Sequence, residues 1–346
     1  MYRRILVLAC SIALSFSSYG STYYISSTGS DLNSGGSLAT AWRTIKKVNS
    51  TSLAPGDIVL FEGGNTFVGT LELDGTTQGT TTQPIVFGSY GTGRAIINSG
   101  AGAGFYAHNV GGIELRNLEF IGSGRLTNAS SGVEFYLDLA NVHLQHLVLD
   151  NVSAQGYHNA GILIGSWSGS SGYDQVRITR CTMSANGEVG LASYAELLAA
   201  HHNWYVAYCQ AFDNAGRPDI TTTNTGNGIV MSGIDGVTVE YCEAHNNGWL
   251  NANQSGGPVG IWGYCCNNLI IQYCESHHNE SGTCRDGGGF DLDGGCTNSV
   301  LQYNYSHDNG GPGYLLAQYP DAPPMHDLTI RYNISENAGR RCGQGA

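Results

Sequence analysis

The sequence predicts an all-β chain that folds as a single-stranded parallel β-helix, with three strands in each coil and a short N-terminal capping helix. The first observation is a short phrase that recurs along the chain, as in YCQAF from 208, YCEAH from 241 and YCESH from 273. One position in it is Asn or Cys and returns every 28 to 34 residues. Periods of this length are typical of solenoids, in which each repeat adds one coil. The repeated position is occupied by Asn117, Asn151, Cys181, Cys209, Cys242, Cys274, Asn304 and Asn333.

The second observation is the pattern on either side of this position. Alternating apolar and polar residues precede it, as in VRITR, VTVEY and LIIQY, and a short run ending in Asn follows it. Both patterns predict strands. After a polar loop of variable length, a further run begins with Gly, as in GIWGYC from 260 and GFDLDGG from 289. Three strands that return in every coil predict three parallel sheets.

The third observation follows from stacking. Successive coils of a β-helix lie about 4.8 Å apart, so residues at equivalent positions lie above one another. A stacked Asn at a tight turn can satisfy backbone groups that the bend leaves unpaired, and Cys suits the same buried position. This layout resembles the right-handed parallel β-helix of the pectate lyase and polygalacturonase (pectin lyase-like) superfamily over residues 58–346. The resemblance implies an asparagine ladder between the second and third strands of each coil, and a substrate groove across the sheet of Gly-initiated strands.

The chain is expected to contain three segments. Residues 1–20 match a secretory signal, with basic residues before an apolar stretch, which predicts a secreted, periplasmic or cell-surface protein without a transmembrane segment. Residues 21–57 are expected to form a cap, with a short amphipathic helix in AWRTIKKVNS that covers the open end of the solenoid. Residues 58–346 are expected to form the β-helix. The last coil is incomplete, which leaves open whether C-terminal coils are missing.

The composition is acidic and rich in glycine, with 50 Gly in 346 residues and a formal net charge of −12. This charge argues against a nucleic-acid partner, and we expect a monomer that binds a polysaccharide or oligosaccharide. The four cysteines at the repeated position are expected to be buried free thiols. The candidates for disulfides, which an exported chain can form, lie near loops: Cys265, Cys266, Cys284, Cys296 and Cys342.

Two aspartates on one Gly-initiated strand are the principal catalytic candidates. If Phe290 faces the core, alternation places Asp291 and Asp293 on the groove side, with Cα atoms about 6.6 Å apart. Carboxylates this close repel, so one is expected to have a raised pKa and to act as an acid while the other acts as a base or nucleophile. Asp286, in the loop entering this strand, is a third candidate.

Neighbouring residues suit the binding of a sugar. A saccharide is expected to stack on the ring faces of Trp262 and Tyr264, which lie on the adjoining coil. Tyr194, on the same face of the sheet two coils further along, is expected to offer a third ring. Arg285 beside the aspartates and His202 at the groove margin are expected to contact substrate. By contrast, a column of histidines on the third strand is expected to be a solvated stack away from the groove and not a metal site: His245, His277 and His307.

The sequence leaves three hypotheses for the function of the protein. We favour a glycoside hydrolase that uses the aspartates and needs no cofactor, although the chain lacks the adjacent Asp-Asp pair, the Gly-His-Gly and the Arg-Ile-Lys of polygalacturonases. Some β-helix xylosidases have a nucleophile where Asp293 lies, but the position of their Glu is Ala317 here. The first alternative is a calcium-dependent polysaccharide lyase or uronate epimerase, in which the aspartates hold Ca²⁺. The second is a non-catalytic glycan-binding or surface-structural solenoid.

Overall fold

Three parallel sheets account for almost all regular structure in residues 20–341, the part of the chain that the computed structural model describes. Most of the predicted signal peptide (residues 1–19) and Cys342 lie outside the described residues. Each full coil contributes a strand to sheet A, then to sheet B, then to sheet C, and neighbouring coils pair in parallel. The predicted all-β parallel β-helix is confirmed.

The strands have the following bounds. Sheet A contains Thr22–Ile25, Ile58–Glu62, Ile85–Tyr90, Ile113–Arg116, His143–Asp150, Gly172–Thr179, His201–Ala207, Ile234–Glu240, Asn267–Gln272, Val300–Gln302 and Thr329–Arg331. Sheet B contains Thr66–Val68, Ala95–Gly100, Leu118–Gly122, Ser153–Gln155, Thr182–Ser184, Gln210–Phe212, Glu243–His245, Glu275–His277, Tyr305–His307 and Ile334–Glu336. Sheet C contains Leu71–Leu73, Phe105–His108, Val133–Leu137, Ala160–Ser166, Val189–Ala195, Asn227–Ser232, Val259–Tyr264, Gly288–Asp293 and Tyr314–Ala317.

The core is a continuous stack of inward-facing side chains along the axis of the β-helix. In the strand Ile58–Glu62, Val59 and Phe61 are buried while their neighbours are partly exposed, as the alternation of a strand requires. Aromatic rings fill the early coils, and the Phe105 and Phe135 centroids lie 5.3 Å apart. Each coil therefore buries its apolar residues mainly against the coils on either side.

The N-terminal segment packs against the first coil. Its strand Thr22–Ile25 pairs in parallel with Ile58–Glu62 at the edge of sheet A. A 3-10 helix, Leu38–Thr40, leads to the α-helix Ile45–Asn49, whose Ile45 and Val48 side chains join the core. No helix within residues 20–341 has the length and apolar character needed to cross a membrane.

The predicted repeat is wrong for its first two members, which lie at the turn between sheets A and B. The parallel register places Asn151 level with Arg180, and Val152 level with Cys181. Asn117 and Asn151 therefore occupy the neighbouring turn position, where their φ angles are 54° and 55°, a conformation that Asn tolerates better than most residues. The inward column consists of Val152, Cys181, Cys209, Cys242, Cys274, Asn304 and Asn333.

A continuous asparagine ladder lies at a different turn, where each coil leaves sheet B. In each of its steps, an Asn Nδ2 donates to the Oδ1 of the next Asn at 2.9 to 3.0 Å. The same oxygens accept backbone N–H groups from the preceding coil. This turn lies between the second and third strands of each coil, where the resemblance implied a ladder. A shorter ladder step lies between sheets A and B, where the Asn304 Nδ2 donates to the Asn333 Oδ1 at 3.1 Å. The members of the longer ladder are all buried: Asn186, Asn214, Asn247, Asn279 and Asn309.

Three of the five cysteines that were expected to form disulfides do not form them. The four cysteines of the inward column are buried free thiols, as predicted. Cys265, Cys266 and Cys296 are also free thiols, so the prediction that they form disulfides is wrong. They pack against neighbouring coils, and the Cys296 Sγ lies 3.3 Å from the Gly263 carbonyl oxygen. Cys284 is disulfide-bonded.

The histidines of sheet B form the predicted stack. His245, His277 and His307 are aligned by the strand register, and their ring centroids are 4.9 and 4.7 Å apart. Glutamates contact the edges of the rings, with 3.2 Å between the His277 Nε2 and Glu243 Oε1 atoms. The stack lies on the outer face of sheet B, away from sheet C.

Candidate active site

Two columns of side chains lie on the outward face of sheet C. The strand register aligns the first column as Leu163, Ala192, Val230, Trp262, Asp291 and Leu315. The second column contains the pairs Gly165 with Tyr194, Ser232 with Tyr264, and Asp293 with Ala317. The aspartates of the strand Gly288–Asp293 therefore share one face, because every second residue of a strand points the same way.

Asp291 is almost completely buried although it lies on the outward face of the sheet. It pairs with Trp262 on one side and Leu315 on the other, and the residue is only 3% exposed. Within residues 20–341, its Oδ1 atom has no hydrogen-bond partner. Burial, followed by the charges of Asp293 and Asp286, raises the pKa of Asp291 well above its ordinary value. Burial therefore favours the neutral, protonated form of this carboxyl group.

Asp293 and Asp286 are only partly buried, and each accepts one backbone hydrogen bond. The Asp293 Oδ1 accepts from the Gly294 N–H at 2.7 Å, and the Asp286 Oδ2 accepts from the Gly257 N–H at 2.6 Å. Burial raises the pKa of both carboxyl groups, and the charge of Asp286 raises the pKa of Asp293 further. The two groups are therefore electrostatically coupled, oriented and open to solvent.

Asp286 is held in an unusual backbone conformation. Its φ angle of 47° is in the left-handed region, which few residues other than Gly, Asn and Asp adopt readily. The Gly257 position leaves room for it, since a Cβ there would lie 3.0 Å from the Asp286 Cβ and 1.9 Å from the Arg285 carbonyl oxygen. The loop thus presents the Asp286 carboxylate beside the strand that carries the other two aspartates.

The three aspartates do not form a compact cation site. Among the described residues, they do not each bring an oxygen atom within 4.8 Å of the other two. Asp291 also lies in an apolar environment that favours its neutral form, whereas Ca²⁺ takes six to eight oxygen ligands and favours ionised carboxylates. The donor set fits a coupled acid–base group better than a calcium site.

Trp262 forms part of the groove floor instead of an open platform. The residue is 7% exposed, packs in a cluster with Val230 and Val259, and donates from Nε1 to the Asn227 Oδ1 at 3.0 Å. The ring of Tyr264 stacks on it with 5.3 Å between centroids, and Tyr264 keeps part of its surface exposed. Tyr264 is therefore the more accessible of the two predicted aromatic contacts.

The other predicted binding residues lie at different distances from the aspartates. Arg285 is exposed at the rim, where its Nε donates to the Gln254 carbonyl oxygen at 3.2 Å, and its charge partly offsets the raised pKa of Asp286. The ring of Tyr194 lies over Gly165, three coils before the aspartates. His202 lies on the outward face of sheet A, where its Nδ1 contacts Asp174, and it does not join this cluster.

Tyr319 is a neighbour of the site that sequence reasoning missed. A Cβ atom at Gly294 would come within 2.7 Å of the Tyr319 ring, so this ring covers the glycine that follows Asp293. Burial and the charge of Asp293 both contribute to raising the pKa of Tyr319. The loop after the strand Tyr314–Ala317 carries no periodic pattern, and the only sequence signal for the contact is a glycine at the end of a strand.

The chain matches no protein-family model. Among curated proteins, it is 26% identical to the lacto-N-biosidase of Bifidobacterium longum subsp. longum, over 92% of this chain and 26% of the relative. The chain thus spans about a quarter of the length of that relative.

Among solved structures, the chain resembles the GH136 lacto-N-biosidase of Eubacterium ramulus. For the native protein the TM-score is 0.67 at 19% identity, covering 91% of this chain and 68% of that chain. Tailspike protein 2 of an Escherichia coli O157:H7 bacteriophage has a TM-score of 0.50 at 12% identity, covering 80% of this chain and 38% of that chain. These likenesses agree with the parallel β-helix fold predicted from the sequence.

Proposed function

We propose that this protein is a glycoside hydrolase whose catalytic pair is Asp286 and Asp293. The observation that carries the proposal is that these two carboxyl groups are coupled, partly exposed and each fixed by one backbone N–H at the open face of sheet C. Cleavage of a glycosidic bond needs one carboxyl group that donates a proton and a second that acts as nucleophile or base. Two coupled carboxyl groups with raised pKa values meet this need because they ionise one after the other.

Asp291 is assigned to a supporting role in this proposal. Its burial leaves little surface for contact with a substrate, and the protonated form that burial favours carries no charge. In its neutral form it would limit the negative charge beside the pair. Asp291 is thus a positioning residue in this account, whereas the sequence pattern alone gave it the same standing as Asp293.

The similarity to lacto-N-biosidases supports a hydrolase in preference to a lyase, and suggests the substrate class. We propose a lacto-N-bioside or a related glycan as substrate, bound with a sugar ring against Tyr264 and with polar contacts from Arg285. Export from the cytoplasm belongs to the same proposal, since such substrates are extracellular glycans. Trp262 would support the Tyr264 ring from below.

The test is an assay of the purified protein with a para-nitrophenyl lacto-N-bioside and with a panel of polysaccharides. The expected result is release of nitrophenol or new reducing ends, without the ultraviolet absorbance of an unsaturated uronate. Products with that absorbance would identify a lyase and overturn the proposal. Binding of glycans without any turnover would identify a non-catalytic module, and would overturn it as well.

A further inference from the structure

A second cluster of ionisable side chains lies on the outward face of sheet A, outside the groove. His143, Asp174 and His202 come from three successive strands, which are His143–Asp150, Gly172–Thr179 and His201–Ala207. The Asp174 Oδ1 lies 3.2 Å from the His143 Nδ1 and 2.9 Å from the His202 Nδ1. Two imidazoles from different coils therefore converge on one carboxylate oxygen.

We propose that His143, Asp174 and His202 form a binding site for Zn²⁺ or a similar divalent transition-metal ion. Imidazole nitrogen and carboxylate oxygen are common zinc ligands, and bonds of about 2.0 to 2.2 Å place two ligands of a tetrahedral ion roughly 3.3 Å apart. The two nitrogen–oxygen distances are close to that separation. One donor atom from each residue lies within 4.8 Å of the other two, so a single ion can contact all three.

The surroundings of the cluster suit an ion that enters from solvent. The side chains of His143, Asp174 and His202 are 33%, 17% and 39% exposed. A solvent-open cavity of about 240 Å³ is lined in part by His143. Three protein ligands at an accessible surface leave a coordination position for water, as zinc sites with three protein ligands do.

The ring geometry distinguishes this cluster from the histidine stack of sheet B. The His143 and His202 rings are tilted by 31° and both direct Nδ1 at Asp174. In the stack, the His277 and His307 rings are nearly parallel, at 8°, and their Nε2 atoms contact two different glutamates. Two groups at the stack, Glu275 with His277 and His307 and His278 with His307 and Asp308, also bring their donor atoms within 4.8 Å of one another. The cluster of His143, Asp174 and His202 differs from them because both of its imidazole nitrogens converge on a single carboxylate oxygen.

A metal at this position would join three coils. The pairs it would bridge are 31 and 28 residues apart in the chain, so it would close loops of solenoid length. Binding to the folded chain alone stabilises it in proportion to the logarithm of the free metal concentration. A bound ion would therefore stabilise the folded solenoid, and one of the coils that it joins carries both Asp174 and Tyr194.

The test is a zinc titration of the full-length protein, freed of metal by a chelator, followed by calorimetry. We expect one equivalent of Zn²⁺ to bind, and His202→Gln and Asp174→Asn each to weaken binding by roughly tenfold or more. His277→Gln is the matched control in the sheet B stack and should leave the affinity unchanged. Zinc should also raise the Tm of the wild-type protein but not that of His202→Gln.

Three results would overturn the proposal. The first is that the wild-type protein binds no zinc. The second is that His202→Gln and Asp174→Asn bind zinc with the same affinity as the wild type. The third is that only His277→Gln loses affinity. A Tm of chelated wild type equal to that of chelated His202→Gln shows that the variant is folded, so that a lost affinity reports the ligand and not the fold. Anomalous diffraction at the zinc edge locates the ion directly.

Discussion

At the scale of single residues, burial separates two aspartates that the sequence presents as equivalent. Asp291 and Asp293 are two positions apart on one strand, and alternation correctly places both on the groove side. Alternation does not reveal that Asp291 is buried between the coils that carry Trp262 and Leu315, because that burial depends on neighbouring coils. The pair expected from the sequence therefore becomes a buried acid beside a partly exposed one.

Asp291→Asn should stabilise the folded protein at neutral pH. The folded-state pKa of Asp291 is raised above the unfolded value of about 3.8, so the folded state binds more protons and loses stability as pH rises through that window. The Asp291→Asn variant removes this loss, because an amide does not titrate. Urea unfolding of wild type and variant should show this gain at pH 7 and none at a pH of about 3. An equal gain at both pH values would show that Asp291 is not the titrating group.

His201 should produce the opposite dependence on pH. The imidazole is buried, its Nδ1 accepts from the Tyr173 N–H at 2.8 Å, and its Nε2 lies 2.9 Å from the Tyr194 carbonyl oxygen. Burial lowers the pKa of His201 from 6.5 to about 4. The unfolded state therefore binds more protons between these values, and stability falls as pH falls through them, by about 3 kcal/mol in total.

Comparison with His201→Gln isolates the contribution of His201 to the dependence of stability on pH. The variant should be less stable at pH 7, because it loses part of the hydrogen bonding, and the deficit should shrink as the pH falls towards 4. The measurement is the free energy of unfolding in urea at pH steps across the window. A deficit that stays constant would contradict the assignment of His201 as the buried neutral histidine.

At the scale of elements, the strands were predictable from the residue pattern, whereas the asparagines of the ladder were assigned to the wrong turn. Alternation and the Gly-initiated runs identified the three strands of each coil, because strand periodicity is written directly in the sequence. Asn117 and Asn151 were assigned to the wrong turn position, since Asn suits both a buried polar turn and a left-handed φ. The resemblance implied a ladder at the exit of sheet B, but the residue type alone did not identify members such as Asn214, because it does not show which side chains face inward.

Asn214→Leu should destabilise the solenoid strongly. The Asn214 Oδ1 accepts from the backbone N–H and the Nδ2 of Asn186, and its own Nδ2 donates to the Met183 carbonyl oxygen and to the Asn247 Oδ1. Leucine would leave these buried groups unpaired, at a cost of roughly 2 kcal/mol or more.

The matched control is Gln210→Leu, which removes an exposed amide from the outer face of the same coil. Its effect on the free energy of unfolding should stay within about 0.5 kcal/mol. Chemical denaturation of both variants provides the comparison. Similar losses in Asn214→Leu and Gln210→Leu would show that the ladder contributes no more than an ordinary surface amide.

At the scale of the whole molecule, the solenoid brings residues that are distant in sequence to one surface. Strand register alone placed Trp262 beside Asp291, because consecutive coils repeat at a nearly constant period. The contacts of Asp286 with Gly257 and of Tyr319 with Gly294 come from loops of variable length, whose paths have no period. The columns of side chains on the outward face of sheet C were therefore predictable from the sequence, whereas the loops at the sides of the groove were not.

The central claim is that Asp286 and Asp293 perform the hydrolysis while Asp291 is a buried neutral neighbour. The most direct measurement is the turnover of the Asn variants of all three residues at neutral pH, once wild-type activity has been detected. Asparagine resembles a protonated aspartate, so Asp291→Asn should keep activity within about tenfold of wild type, whereas Asp286→Asn and Asp293→Asn should each lose a factor of at least about 1,000. Full loss in Asp291→Asn together with near-normal turnover in either Asp286→Asn or Asp293→Asn would contradict the account.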